Sequence, residues 1–248
     1  VTAAELLLVL AAIAVGSAIK GATGVGLPLL ATPALALFVG VEEAVVVIAL
    51  PNLATNTWLL VHHWRGRAEV SALGLLILAG LAGVAVGTVA LTTVPERGLS
   101  LVLAALVIAY LALRWRRPDL RLSAEANRVL SPFVGAGSGL LQGATGISAP
   151  VVATYAHWLG LSRDGYVFTV AVLFQLFGVA HVLAIAAGGL YTSERLLAAG
   201  LALVPTLLAL PVGMWLGARL GHRGFDRAVL GVLVLLAASL VVRAGWPA

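Results

Sequence analysis

The chain has 248 residues, of which 61% are hydrophobic and 10% charged, with a net charge of +5. A soluble domain carries about 25% charged residues, so the polar surface is too small to coat a water-soluble globule, and the length fits one membrane-embedded body. The absence of cysteine excludes disulfides and thiolate metal sites, and arginines confined to short loops between apolar runs, without a basic stripe or interleaved aromatics, exclude a nucleic-acid surface.

Apolar segments run over 5–20, 25–39, 42–61, 69–93, 98–113, 128–142, 147–160, 166–190, 194–218 and 228–242. The first lacks a basic leader, carries Glu5 and is echoed later in the chain, so it is expected to belong to the mature fold and not to a cleaved signal peptide. A helix needs about 20 residues to cross the hydrocarbon core. The third, fourth, eighth and ninth segments reach that length, and the fifth and tenth are marginal. The first and second, and again the sixth and seventh, are short. Each short pair flanks a glycine-rich break, Gly21-Ala22-Thr23-Gly24 or Gly143-Ala144-Thr145-Gly146.

The two breaks expose an internal repeat. An offset of 122 aligns Gly21–Thr32 with Gly143–Thr154, and seven of the twelve positions are identical, including Pro28/Pro150 and Thr32/Thr154. Later the offset becomes 130, where Gly83/Gly213, Gly87/Gly217 and Arg97/Arg227 match. A single domain over 1–248 is therefore expected, built from repeats 1–122 and 123–248 joined near Arg114–Glu125. The arginine-bearing loops at Arg65–Arg67, Arg114–Arg128 and Arg219–Arg227 are expected on the cytoplasmic side. If 5–39 and 125–160 are hairpins that return to their own side, eleven of the fourteen arginines lie inside, with Glu42-Glu43 and Glu96-Arg97 outside. The expected fold is all-α: two inverted repeats, each a broken-helix hairpin plus three transmembrane helices, an architecture typical of transporters. Eight simple helices in a parallel repeat are the competing arrangement.

All ten acidic residues fall at segment ends or in loops, leaving no carboxylate at mid-membrane to bind a cation. Lys20, the only lysine, lies directly before the first break. An ammonium in the bilayer interior is costly and usually functional, although a lysine can also snorkel to an interface. Its repeat counterpart is Gln142. A broken helix exposes backbone N–H groups at the start of its second half, which attract anions. Gly21, Gly24, Gly143 and Gly146 allow close approach, Thr23 and Thr145 can cap the new helix or donate hydroxyls, and Ser148 is a further candidate for binding the substrate. Helix packing through small residues would use the same glycines. Asn52 and Asn56 share a face of the third segment. With Gln175 in the eighth they are expected to line the same cavity, or to bond between helices. His181 is a candidate proton relay or a packing histidine; His62 and His63 read as surface. No metal or cofactor is expected. Ala136-Gly137-Ser138-Gly139 misses the first glycine of a rhomboid-type protease motif, and no HExxH is present, so the chain does not read as an enzyme.

With Gly21-Ala22-Thr23-Gly24-Val25-Gly26 and Pro28, the Pro51-Asn52 turn, and Gly143-Ala144-Thr145-Gly146 with Pro150, the chain resembles the sulfite exporter TauE/SafE family, also grouped with the toluene sulfonate uptake permeases. The resemblance covers essentially the whole chain. It implies a multi-pass protein of the cytoplasmic membrane that moves sulfite, sulfoacetate or other organosulfonate anions, with Thr23, Gly24 and their repeat mates taking part. Such proteins include exporters and importers. Export by alternating access is the leading expectation, and an anion channel or an importer the alternative.

Overall fold

The computed structural model describes residues 3–70, 73–116 and 121–219, and the apolar segment 228–242 lies outside them. Among the described residues the fold is all helical. The elements are α1 (Ala3–Thr23), α2 (Leu27–Val39), α3 (Val41–His62), a 3-10 turn (Trp64–Glu69), α4 (Gly74–Thr93), α5 (Glu96–Arg116), α6 (Ala124–Thr145), α7 (Ala149–Trp158), α8 (Arg163–Ala187) and α9 (Ser193–Arg219). Five of them, α1, α3, α4, α8 and α9, are long and apolar enough to cross a membrane. Leu7, Leu78, Val86, Leu201 and Leu208 stand exposed on α1, α4 and α9, as large apolar side chains facing lipid would.

Two segment lengths differ from the sequence expectation. The helix of the first segment runs 21 residues to Thr23, and that of the sixth 22 residues to Thr145. Only their successors are short: α2 has 13 residues and α7 has 10. The glycines at 21 and 143 do not end their helices, because each is held helical by tight packing on a neighbour. A Cβ on Gly21 would stand 2.2 Å from the Leu210 carbonyl oxygen, and one on Gly143 would stand 2.4 Å from that of Val84. The start of α6 is fixed by Ser123, whose hydroxyl accepts from the Ala126 N–H at 3.2 Å.

Those glycines belong to two long seams of small residues. Along α6, Gly135 meets Leu76, Gly139 meets Gly80, and Gly143 meets Val84 and Gly87 of α4. The register rises together, so α4 and α6 run parallel. Gly213 meets Ala18 and Gly217 meets Ala22, so α9 runs parallel to α1. In lipid no hydrophobic force drives helices together, and small residues that let backbones touch take its place. The second glycine segment thus lies beside the interior of α4, while the first lies along the last turns of α9 and near the start of α8.

Polar contacts tie the helix ends. Arg195 at the start of α9 grips Glu43 at 2.6 Å and Glu42 at 2.9 Å, at the start of α3. Beside them the Val41 N–H donates to Glu96 at 2.9 Å. At the far end of α3, His63 pairs with Asp164 at 2.8 Å. Glu69 accepts from the backbone N–H of Ser162 at 2.8 Å and from its hydroxyl. The Leu122 N–H, just before α6, donates to the Trp158 carbonyl at the end of α7 at 3.0 Å. The α6–α7 pair therefore returns to the level at which it began.

Candidate functional site

The chain leaves helix at Gly24 and Gly146 by the same device. Each adopts a left-handed φ, +84° and +70°, open to glycine without strain. Each donates its N–H four residues back, Gly24 to Lys20 at 2.7 Å and Gly146 to Gln142 at 2.9 Å, closing the last turn. Of the two roles open to Thr23 and Thr145, capping the following helices or donating their hydroxyls, the hydrogen bonds show the second. Thr23 Oγ1 donates to the Ile19 carbonyl at 2.9 Å and accepts from the Val25 N–H at 3.3 Å. Thr145 Oγ1 does the same with Leu141 at 2.8 Å and Ile147 at 3.3 Å. Each hydroxyl staples the end of the first helix to the linker two residues on. The next helices begin without a side-chain cap, Pro28 and Pro150 occupying their first turns, where a missing N–H costs little.

Between the two linkers lies a narrow cavity. Lys20, Gly26 and Pro28 line it from the first, Gln142, Gly146 and Ser148 from the second, and Asn52 and Phe174 complete it. Asn52 sits at the middle of α3 and Phe174 at the middle of α8, so the cavity is at mid-height of both. Lys20 is wholly buried. Its Nζ donates to Asn52 Oδ1 at 2.5 Å and to Asn56 Oδ1, and lies 5.7 Å from the centroid of the Phe174 ring. Every oxygen that holds this ammonium is a neutral amide oxygen. A buried charge normally sits against an opposite one, and here the polar partners supply dipoles only.

The remaining sequence candidates divide. Ser148 donates to Gln142 Oε1 at 2.8 Å across the second linker, so both face the cavity as a pair. Asn56 is fully buried with its Nδ2 unpartnered. Gly21 and Gly143 serve the helix seams. Gln175 lies away from the cavity lining: its Nε2 donates to Thr57 at 3.1 Å, while its Oε1 is buried without a partner. His181 is buried in α8, bonded to the backbone of Gly143, with Nε2 unpartnered. It touches the second glycine segment from behind. Two contributors escaped the sequence reading. Phe174 gave no polar signal. Thr32, a member of the repeated stretch, has a buried unpartnered Oγ1 4.0 Å from where a Cβ on Gly146 would stand. Among the described residues no group of three or more His, Cys, Asp or Glu is placed to hold a metal.

A profile of the sulfite exporter TauE/SafE family matches residues 8–240. The chain belongs to the TauE/SafE family. No curated protein and no solved structure matches it. As a TauE/SafE protein it is a multi-pass membrane protein of a transporter family.

Proposed function

We propose that this TauE/SafE protein exports sulfite or a small organosulfonate across the cytoplasmic membrane by alternating access. The anion binds between the two glycine linkers, at mid-membrane. The observation that carries this reading is the wholly buried Lys20 amino group, held by amide oxygens with no carboxylate. An anion entering the cavity supplies the missing counter-charge and gains charge-assisted hydrogen bonds. The Gln142 amide, whose oxygen already accepts from Ser148, offers a neutral donor on the cavity lining. Export follows the family's description.

The reading also takes the chain as two inverted halves. Arg195 sets the start of α9 beside the start of α3, and α1 runs parallel to α9. On that basis α1–α2 opens toward the Glu42–Glu43 end and α6–α7 toward the opposite end. Inverted hairpins meeting at a central site are the usual ground plan of carriers that rock about a fixed site.

Purified protein in proteoliposomes tests the proposal. Saturable movement of labelled sulfite or methanesulfonate, at carrier turnover and competed by the other anion, is the expected result. Preferential uptake of a cation or a neutral sugar would overturn it, and channel-like flux would remove alternating access. Efflux from loaded cells exceeding uptake by the same cells is the outcome that export requires.

A further inference from the structure

Resting on that reading of the site, we infer that the cavity takes sulfite as its singly charged form, hydrogen sulfite, together with monosulfonates, and rejects dianions such as sulfate and the doubly charged form of sulfite. The argument is a charge inventory, taken element by element. From α1 the cavity receives one formal charge, Lys20. From α3 it receives Asn52, with Asn56 against the Lys20 Nζ, both neutral, while Glu42 and Glu43 sit at the far start of that helix, bound to Arg195. From α8 it receives the Phe174 ring. The charged residues at the start of α8 are Arg163 and Asp164. Arg163 is exposed, with Nη2 3.4 Å from the Ala22 carbonyl, and Asp164 pairs with His63. From α6 and the second linker come Gln142 and Ser148, hydrogen-bonded to each other. From α9 comes only the glycine seam against α1. Arg219, at its end, stacks on Trp215 at 4.4 Å.

Helix dipoles do not change the sum. Each linker joins the C-terminal end of one helix to the N-terminal end of the next, so partial charges of about −0.5 and +0.5 meet there and largely cancel. What lines the cavity besides Lys20 is uncharged: the Gln142 and Asn52 amides and the Ser148 hydroxyl are polar without adding net charge. One ammonium therefore faces one anionic charge. A monoanion leaves the occluded site neutral. A dianion leaves an uncompensated negative charge in the low-dielectric interior, where the penalty is steep. His181 is the other buried ionisable side chain of basic type among the described residues. Neutral, it leaves the inventory unchanged.

This selectivity has a readable consequence for sulfite, which gains and loses a proton near neutral pH. Binding of purified full-length protein to sulfite, sulfate and methanesulfonate is measured by calorimetry between about pH 6 and pH 9. Methanesulfonate keeps its single charge throughout and so reports any titration of Lys20 or His181. The ratio of sulfite affinity to methanesulfonate affinity is expected to fall about tenfold per pH unit once the dianion dominates, as one-proton linkage requires. Sulfate is expected to bind at least tenfold more weakly than methanesulfonate at every pH. A ratio that stays flat or rises with pH, sulfate binding as tight as methanesulfonate, or sulfite binding without any by methanesulfonate each overturns monoanion selection and leaves anion transport standing. Failure of all three to bind overturns both.

Discussion

Replacing Lys20 by glutamine separates a binding charge from a structural one. The substitution removes the ammonium and leaves an amide of similar reach, copying what Gln142 contributes at the second linker. In the empty protein two effects oppose each other. The hydrogen bonds to Asn52 and Asn56 are charge-assisted, each worth about 1.5–3 kcal/mol, and a glutamine amide recovers part of them. Against this stands the desolvation of a wholly buried ammonium, several kcal/mol per ion after relaxation. With no carboxylate to offset that cost, unliganded Lys20→Gln protein should melt at the wild-type temperature or above it. Anion binding loses one charge-assisted contact, about 1.5–3 kcal/mol, which is roughly a 10- to 150-fold rise in Kd. Thermal shift with methanesulfonate reads both at once, because a ligand raises the melting temperature only as far as it binds the folded state. Lys20→Arg should also bind weakly, since a planar fork does not fit a site built around a point charge. A Lys20→Gln Kd within twofold of wild type would refute the reasoning and leave the lysine a packing residue.

The glycine seams predict a sharp positional contrast. Gly143→Ala, which drives a Cβ against the Val84 carbonyl, and Gly21→Ala, which does so against Leu210, should each destabilise the protein by about 1–3 kcal/mol through overpacking. Gly137→Ala, on the same helix as Gly143 but facing open space, should be neutral or slightly stabilising; equal melting temperatures for all three would sink the seam argument. Glu69 predicts a pH effect outside the membrane. Hydrogen bonds from the Ser162 hydroxyl and backbone N–H hold its carboxyl below the ordinary value of 4.5, so its contribution is present above that pH and is lost as pH falls through the depressed folded value. Melting curves of Glu69→Gln should lack this part of the acid-side loss, and an unchanged acid limb would rule the contribution out.

Much of the site was legible because polar residues are rare in so apolar a chain. A sole lysine before a repeated glycine tetrad and two asparagines one turn apart were visible as exceptions, and Lys20, Asn52 and Asn56 are in contact. What could not be read was which function each motif residue serves. GATG combines three jobs in four letters. Its first glycine packs helices, its threonine staples the linker, and its last glycine makes the left-handed turn. All three need small residues, so spacing does not separate them. The lengths of α1 and α6 were underestimated for a related reason: a glycine pressed on a neighbouring backbone stays helical, and the neighbour is remote in sequence. Gln175 bonds to Thr57 away from the cavity lining, a rotation that a polar residue on a matching segment does not reveal, and Phe174, one residue earlier, lines the cavity.

The seam between α1 and α9 also sets an order of events in biogenesis. As α1 leaves the ribosome, Ala18, Gly21 and Ala22 have no backbone to rest on, since the residues they touch, Leu210 to Gly217, are made only with the last described helix. The asparagines that hold Lys20 arrive much sooner, with α3. During synthesis, then, the charge is settled first and the close helix contact last. A chain halted before α9 would carry its lysine already sheltered on a first helix still open along its small-residue face.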